Sequence, residues 1–191
     1  TENNLKSLST YKNTKITCLR FATACGFSPN LRLDLVLNDF IATALTSNKI
    51  EVLSDGSPWR PLIDVKDMSK LLLWSCLRDQ GNQFEILNAG SNSCNFKVSQ
   101  LAEIVASQIG KDIKVSINKN AQPDKRSYQV SFDKLNSLIQ KDFNPNISIA
   151  ESASIMISNL KNQVNFLHPL NRSHLIRLQV LKNLKSSGKI S

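Results

Sequence analysis

The sequence predicts an α/β fold, and three observations carry that expectation. Residues 15–24 form a β-rich run containing Ile16, Thr17, Cys18, Leu19 and Phe21, without clean alternation of apolar and polar positions. That is the pattern of a strand covered on both faces in a parallel sheet. Short strand-like runs and helix-like segments then alternate at the spacing of crossover units. Finally, the 191 residues are 41% hydrophobic and 20% charged. This supplies enough apolar surface for a core and excludes collagen-like, low-complexity and mainly disordered chains.

Each element follows from local pattern. Residues 2–8 read as the end of a helix, broken at Ser9-Thr10. A loop from Gly26 to Asn30 leads to a helix over 33–45, with apolar residues at Leu33, Val36, Leu37, Phe40, Ile41, Ala44 and Leu45. A strand at 50–53 precedes a turn over 55–58. Asp67 is placed as the N-cap of a helix over 68–77. A strand at 84–88 ends near Gly90, a helix at 99–109 is stopped by Gly110, and a strand follows at 113–117. Residues 132–139, 149–160 and 175–184 read as helical. A complete doubly wound sheet needs five or six parallel strands, so the reading is a part of one with a smaller α/β portion and a helical end. Together with Thr1 in place of Met, this predicts a segment of a longer protein.

Composition narrows the chemistry. The six glycines lie at 26, 56, 81, 90, 110 and 188, with no pair at the spacing of a phosphate-cradling loop. Four cysteines form no C-x-x-C pair and have no histidine at ligand spacing, so no metal site is expected and the thiols read as reduced and mostly buried. No run of eighteen apolar residues exists and the N-terminus is too polar for a signal peptide; the expected location is cytoplasmic, with no membrane partner.

The net charge of +9 is uneven. Residues 152–191 carry Lys161, Arg172, Arg177, Lys182, Lys185 and Lys189 and no acid, so this tail holds +6 of the total. A nucleic-acid-binding role is one reading of such a tail. A solvated helix face is the favoured one, because no aromatic residue follows Phe166. The stripe Leu175, Leu178, Leu181 and Leu184 is expected to pack on the body or on a second subunit, as in a homodimer of the full-length protein.

Three segments carry candidate chemistry. In Leu19-Arg-Phe-Ala-Thr-Ala-Cys-Gly26, the residues Ala22, Thr23 and Ala24 lie at a strand end, where ligands of α/β sheets bind. A plain strand-to-loop junction is the alternative. In Ser57-Pro-Trp-Arg-Pro-Leu-Ile-Asp-Val-Lys-Asp67, Arg60 is held in a stiff loop and can grip a phosphate bidentately; pairing with Asp55 or Asp64 is the alternative. Asp124 and Arg126 share a loop, where an acid can hold a ribose hydroxyl and an arginine a diphosphate.

These segments resemble, in order, the NAD-dependent epimerase/dehydratase family, the extended short-chain dehydrogenase/reductases. The resemblance rests on Arg20-Phe-Ala-Thr-Ala-Cys-Gly26, the helix with Asn38, Arg60-Pro-Leu-Ile-Asp-Val-Lys-Asp67, Asn88-Ala-Gly90 and Asp124-Lys-Arg-Ser-Tyr128. It implies a partial Rossmann-type fold: the end of the NAD-binding portion over 1–32, a substrate-binding portion with interleaved Rossmann elements over 33–164, and a basic helical tail over 165–191. It also implies a nucleotide-diphosphate sugar as ligand and NAD as cofactor of the parent enzyme. Thr23 would face the sugar and, with Ala22 and Ala24, the nicotinamide. Asn38 and Arg60 would meet the diphosphate and Asp124 the nucleotide ribose. The family's basic residue three before that acid is Ala121 here, so Arg126 would substitute.

The family's glycine loop is absent, and its Tyr-x-x-x-Lys pair is matched in spacing only by Tyr11 and Lys15, which are rejected because Lys15 opens the strand and Tyr11 follows the Ser9-Thr10 break, so they need not share a helix face. Glu2 fits a position four residues after the family's lysine, which would put the catalytic pair before Thr1. The chain is therefore expected to bind but not to catalyse alone. The rivals are a natural non-catalytic nucleotide-sugar-binding module and a nucleic-acid-binding module.

Overall fold

The computed structural model describes residues 1–8, 14–110, 112–121, 126–163 and 172–190. It has the mixed α/β architecture expected, with three parallel strand pairings. β1 (Ile16–Phe21) pairs with β5 (Phe84–Ala89), β2 (Thr23–Cys25) with β4 (Trp59–Asp64), and β3 (Lys49–Val52) with β7 (Lys114–Ile117). β6 (Asn95–Lys97) adds an antiparallel edge to β4.

The apolar run at 15–24 is two strands rather than one. β1 follows β5 in register from Ile16 opposite Phe84 to Phe21 opposite Ala89. Ala22 then donates its N–H to the Ala89 carbonyl at 2.9 Å, and from Thr23 the chain pairs with β4 instead. α1 (Glu2–Leu8) lies beside β1, where Glu2 receives both Nε and Nη2 of Arg20, the Nε bond at 2.8 Å. Lys15 donates Nζ to the carbonyls of Asp79 at 2.7 Å and Arg78 at 3.3 Å, which ties it to the end of α3 (Val65–Leu77). Tyr11 lies outside the described residues.

Two apolar clusters form the interior. The larger is closed by α2 (Val36–Ser47), α4 (Val98–Ile109) and α6 (Ile149–Leu160), with Ile50 and Val52 from β3 and Leu62 from β4. The smaller gathers Leu71 and Trp74 of α3, Leu87 and Ala89 of β5, Phe132, Leu135 and Ile63. Leu62 and Ile63 are neighbours on β4 that project to opposite faces, so this strand is the wall between the two cores.

β4 occupies the segment expected to be a stiff loop. Its first half pairs with β6 and its second half with β2, and Pro61 sits at the handover, where a missing N–H is tolerated. The N-cap of α3 is Asp64, whose Oδ1 accepts the Lys66 N–H at 2.8 Å; Asp67 lies inside the helix. Asp67 instead accepts the Asn146 and Ile147 N–H groups on Oδ2, at 3.0 and 2.9 Å, and is almost fully buried. The helix expected over 132–139 is one turn, α5 (Asp133–Asn136). Phe132 is held there by its N–H to Asn92 Oδ1 at 2.9 Å.

In the tail, α7 (Arg177–Ser186) follows a short 3-10 turn over Arg172–Leu175. Leu33 donates its N–H to the Leu175 carbonyl at 3.0 Å, and Leu175 enters the larger core. Leu178 and Leu181, expected to pack, are exposed instead, because the half-buried face of α7 is Val180 and Leu184. Of the four free cysteines, Cys25 and Cys94 are buried, Cys18 is half-buried and Cys76 is exposed.

Candidate functional site

Strand order brings three of the candidate residues, Thr23, Arg60 and Arg126, to one cavity beside β4. Trp59 and Arg60 open the strand, and the segment 126–128 is stitched along it. Arg60 donates Nη1 to the Arg126 carbonyl at 2.6 Å and to the Trp59 carbonyl at 2.8 Å. The Trp59 N–H donates to Ser127 Oγ at 3.0 Å, and the Tyr128 N–H reaches the Trp59 carbonyl at 3.4 Å. Lys97 places its ammonium 5.6 Å from the centre of the Trp59 ring, within reach of cation–π attraction.

Beside this stitched corner lies an open cavity of about 540 Å³, a size suited to a substrate or cofactor fragment. Thr23, Arg60 and Arg126 all line it, although they come from β2, β4 and a distant loop. Tyr128 adds an aromatic wall, and Leu35, Phe40 and Val98 add apolar surface. The same cavity is lined by Asp34, Asp39 and Glu51. The bidentate Arg32 guanidinium holds the Asp34 carboxyl below the ordinary carboxylate range, so Asp34 is charged at neutral pH. The cavity is therefore bipolar. Its arginines suit phosphate, and its carboxylates suit hydroxyl or amide donors.

A second, smaller cavity of about 230 Å³ is also lined by Thr23, together with Ala24, Cys25, Gly26 and Asn38. Asn38 is buried and engaged at both ends of its amide. Its Oδ1 accepts the Gly26 N–H at 3.2 Å and its Nδ2 donates to the Arg32 carbonyl at 3.0 Å. It thus clamps together the loops at Gly26 and Arg32. Ala22 is turned into the smaller core and lines neither cavity. Asp124 lies outside the described residues.

Next to the small cavity is a buried polar cluster. Ser152 of α6 donates Oγ to Asp64 Oδ2 at 2.6 Å, and the Cys25 thiol sits 3.4 Å from the Ile63 carbonyl. Burial pushes the Cys25 thiol up to about 12, so it is a protonated, inert packing group. Gly26 is needed here: its φ is +100°, and a Cβ would stand 2.5 Å from Asp64 Oδ2.

Sequence reasoning misses Asp34, Asp39, Glu51, Leu53 and Tyr128 as lining residues. Strand alternation could have found Glu51, since Ile50 and Val52 point into the core and leave it on the outer face. Tyr128 closes the Asp-Lys-Arg-Ser-Tyr segment noted for its charges. No local signal marks Asp34 and Asp39 beyond their place around the start of α2.

Comparison with known proteins agrees with this architecture. Residues 2–90 match the NAD dependent epimerase/dehydratase family. The fold is similar to the UDP-glucuronic acid 4-epimerase of Bacillus cereus, a point mutant solved with a fluorinated UDP-sugar and NAD. The TM-score is 0.69 at 15% identity, over 85% of this chain and 50% of that one. It is also similar to the UDP-N-acetylglucosamine 4-epimerase of Methanobrevibacter ruminantium M1, with TM-score 0.68 at 21% identity over 85% and 51%. The UDP-glucose 4-epimerase of Thermotoga maritima, solved with UDP-glucose, gives 0.68 at 19% identity over the same shares. The chain spans about half the length of the solved structures it matches. The α/β fold, with the segments around Thr23 and Arg60, is thus similar over 85% of the chain to about half of each of these structures, and residues 2–90 carry the match to the NAD dependent epimerase/dehydratase family.

Proposed function

We propose that this chain is the nucleotide-sugar-binding portion of an NAD-dependent sugar epimerase or dehydratase, similar to UDP-glucose 4-epimerase. One observation carries the reading: Thr23, Arg60 and Arg126, remote in sequence, line one cavity of about 540 Å³ beside the carboxyl end of β1. Arg60 and Arg126 hold the diphosphate, and Thr23 meets the sugar. Asp124 is assigned to the nucleotide ribose. Asn38 acts through the loops at Gly26 and Arg32 that it joins. The domain division proposed is 1–32, 33–164 and 165–191.

NAD supplies hydride acceptance and return when bound in the parent enzyme. In this chain the residues nearest such a role, Thr23 and Ala24, open on a cavity of about 230 Å³. That is below the ~300–1,000 Å³ usual for a cofactor pocket, and no glycine pair has pyrophosphate-loop spacing. Ala24 and Thr23 fit the nicotinamide end rather than the whole dinucleotide, and the reading proposed is that the chain alone binds sugar nucleotide without turnover.

Isothermal titration with UDP-glucose and with UDP tests this. Saturable binding is expected, weakened about 10- to 100-fold by Arg60→Ala through loss of charge-assisted bonds. Arg60→Lys, which keeps the charge, should lose less. Neutralising Lys182 and Lys185 should change nothing. No binding by the wild type, or equal binding by Arg60→Ala, refutes the assignment.

A further inference from the structure

We propose that α7 docks this protein on an anionic lipid surface, with Leu178 and Leu181 entering the headgroup boundary and Lys182 and Lys185 reaching the phosphates. Leu178 is 62% and Leu181 46% exposed. Lys182 and Lys185 lie four and seven residues after Leu178, which places them on the same helical face, and both are exposed. The helix is not simply unpacked. Its N-terminal end is fixed to the body through Leu175 and Ile176, and Val180 and Leu184 are half-buried. At the other end Gly188, with φ of +68°, lets Lys189 return its N–H to the Leu184 carbonyl at 3.0 Å. An anchored helix thus presents a leucine–lysine face outward.

Charge and chemistry select the occupant. Residues 152–191 hold six cations and no carboxylate side chain. A second copy related by a two-fold axis would set this face against itself and bring lysines together with no acid in either tail to neutralise them. A nucleic acid would satisfy the lysines but leave two leucines against a hydrated backbone, with no aromatic after Phe166 to stack on bases. A lipid boundary takes both groups, since lysine stems lie along apolar surface while their ammonium groups reach headgroup phosphates. Anionic headgroups, as on a cytoplasmic leaflet, add attraction for each cation.

The test is co-sedimentation of the 191-residue chain with phosphatidylcholine vesicles, with and without phosphatidylglycerol, in about 0.1 M salt. Reversible binding to the anionic vesicles alone is expected. Leu178→Gln with Leu181→Gln should lower the partition coefficient at least about tenfold. Lys182→Gln with Lys185→Gln should lower it about thirtyfold. Circular dichroism should show the fold of both variants retained, since all four side chains are exposed. The proposal is overturned by failure to bind anionic vesicles, or by binding that the leucine pair does not affect. It is equally overturned if duplex DNA binds more tightly than vesicles, or if the wild type is a dimer that the leucine variant dissolves. None of these outcomes depends on sugar-nucleotide binding.

Discussion

Asp67→Ala is expected to be among the more destabilising single changes in this chain, although Asp67 lines neither cavity described above. The residue is 1% exposed, and its carboxylate accepts two backbone N–H groups, from Asn146 at 3.0 Å and Ile147 at 2.9 Å. Hydrogen bonds to a charged group contribute roughly 1.5–3 kcal/mol each, and truncation leaves two donors without their acceptor. The loss is therefore about 3–6 kcal/mol. The Lys70 ammonium also pairs with Asp67, at 2.9 Å, but is about a third exposed, so Lys70→Ala should cost no more than about 1 kcal/mol. Urea unfolding followed by circular dichroism reads the difference. At a slope near about 2 kcal/mol/M, the midpoint should fall by about 2 M for Asp67→Ala and by under about 0.5 M for Lys70→Ala. Hydrogen exchange should accelerate first around 146–151, because the segment fixed by Asp67 leads into α6, whose cap is Ser148 Oγ accepting the Glu151 N–H. A midpoint within about 0.5 M of wild type for Asp67→Ala, or equal losses for the two variants, would refute the reasoning.

Two further expectations follow from the small cavity. Gly26→Ala combines a left-handed φ with a 2.5 Å approach to Asp64 Oδ2, and should destabilise by at least about 1–3 kcal/mol; a thermal midpoint unchanged from wild type would contradict this geometry. Cys25 titrates near 12 in the native state against about 8.5 for an ordinary thiol. Between those values the unfolded chain binds one proton fewer, so native stability falls as pH rises from about 9, by about 1.4 kcal/mol per pH unit, and is unaffected at neutral pH. Unfolding midpoints at about pH 7.5, 9.5 and 10.5 in wild type and Cys25→Ala should diverge only above about pH 9. Parallel curves would disprove the shift.

The helices are legible because their cores demand it. In α2 and α4 the apolar positions recur at helical spacing and meet each other and α6 in one cluster. The strand at 59–64 is not legible, because Pro61 argues against a strand and Leu62, Ile63 and Asp64 do not alternate. Leu62 and Ile63 are both apolar only because β4 has a different core on each face. The cap of α3 illustrates a further limit. Asp64 and Asp67 both precede an apolar run and either could cap by local rules. The choice is settled by residues some eighty positions away, since Asp67 is consumed by the Asn146 and Ile147 N–H groups.

The candidate site divides along the same line. Thr23 and Arg60 stand out because each sits in a locally unusual segment, a strand end of small residues and an arginine between tryptophan and proline. The carboxylates that share their cavity do not, because Asp34, Asp39 and Glu51 are ordinary surface acids until α2 and β3 bring them to one cavity. Under the proposed function, that half of the site would bear on the substrate. Two arginines can grip a diphosphate of any sugar nucleotide, whereas carboxylates reject phosphate and reward N–H and O–H donors at defined positions. Under the proposed function, discrimination among nucleotide-sugars would belong to the acidic wall, and affinity common to all of them to the arginines. Glu51→Gln should therefore change the ratio of affinities among UDP-sugars far more than it changes binding of pyrophosphate, while Arg60→Ala should lower all of them together. If Glu51→Gln leaves every titrated ratio as in wild type, the acidic wall does not face the ligand and the division of labour fails.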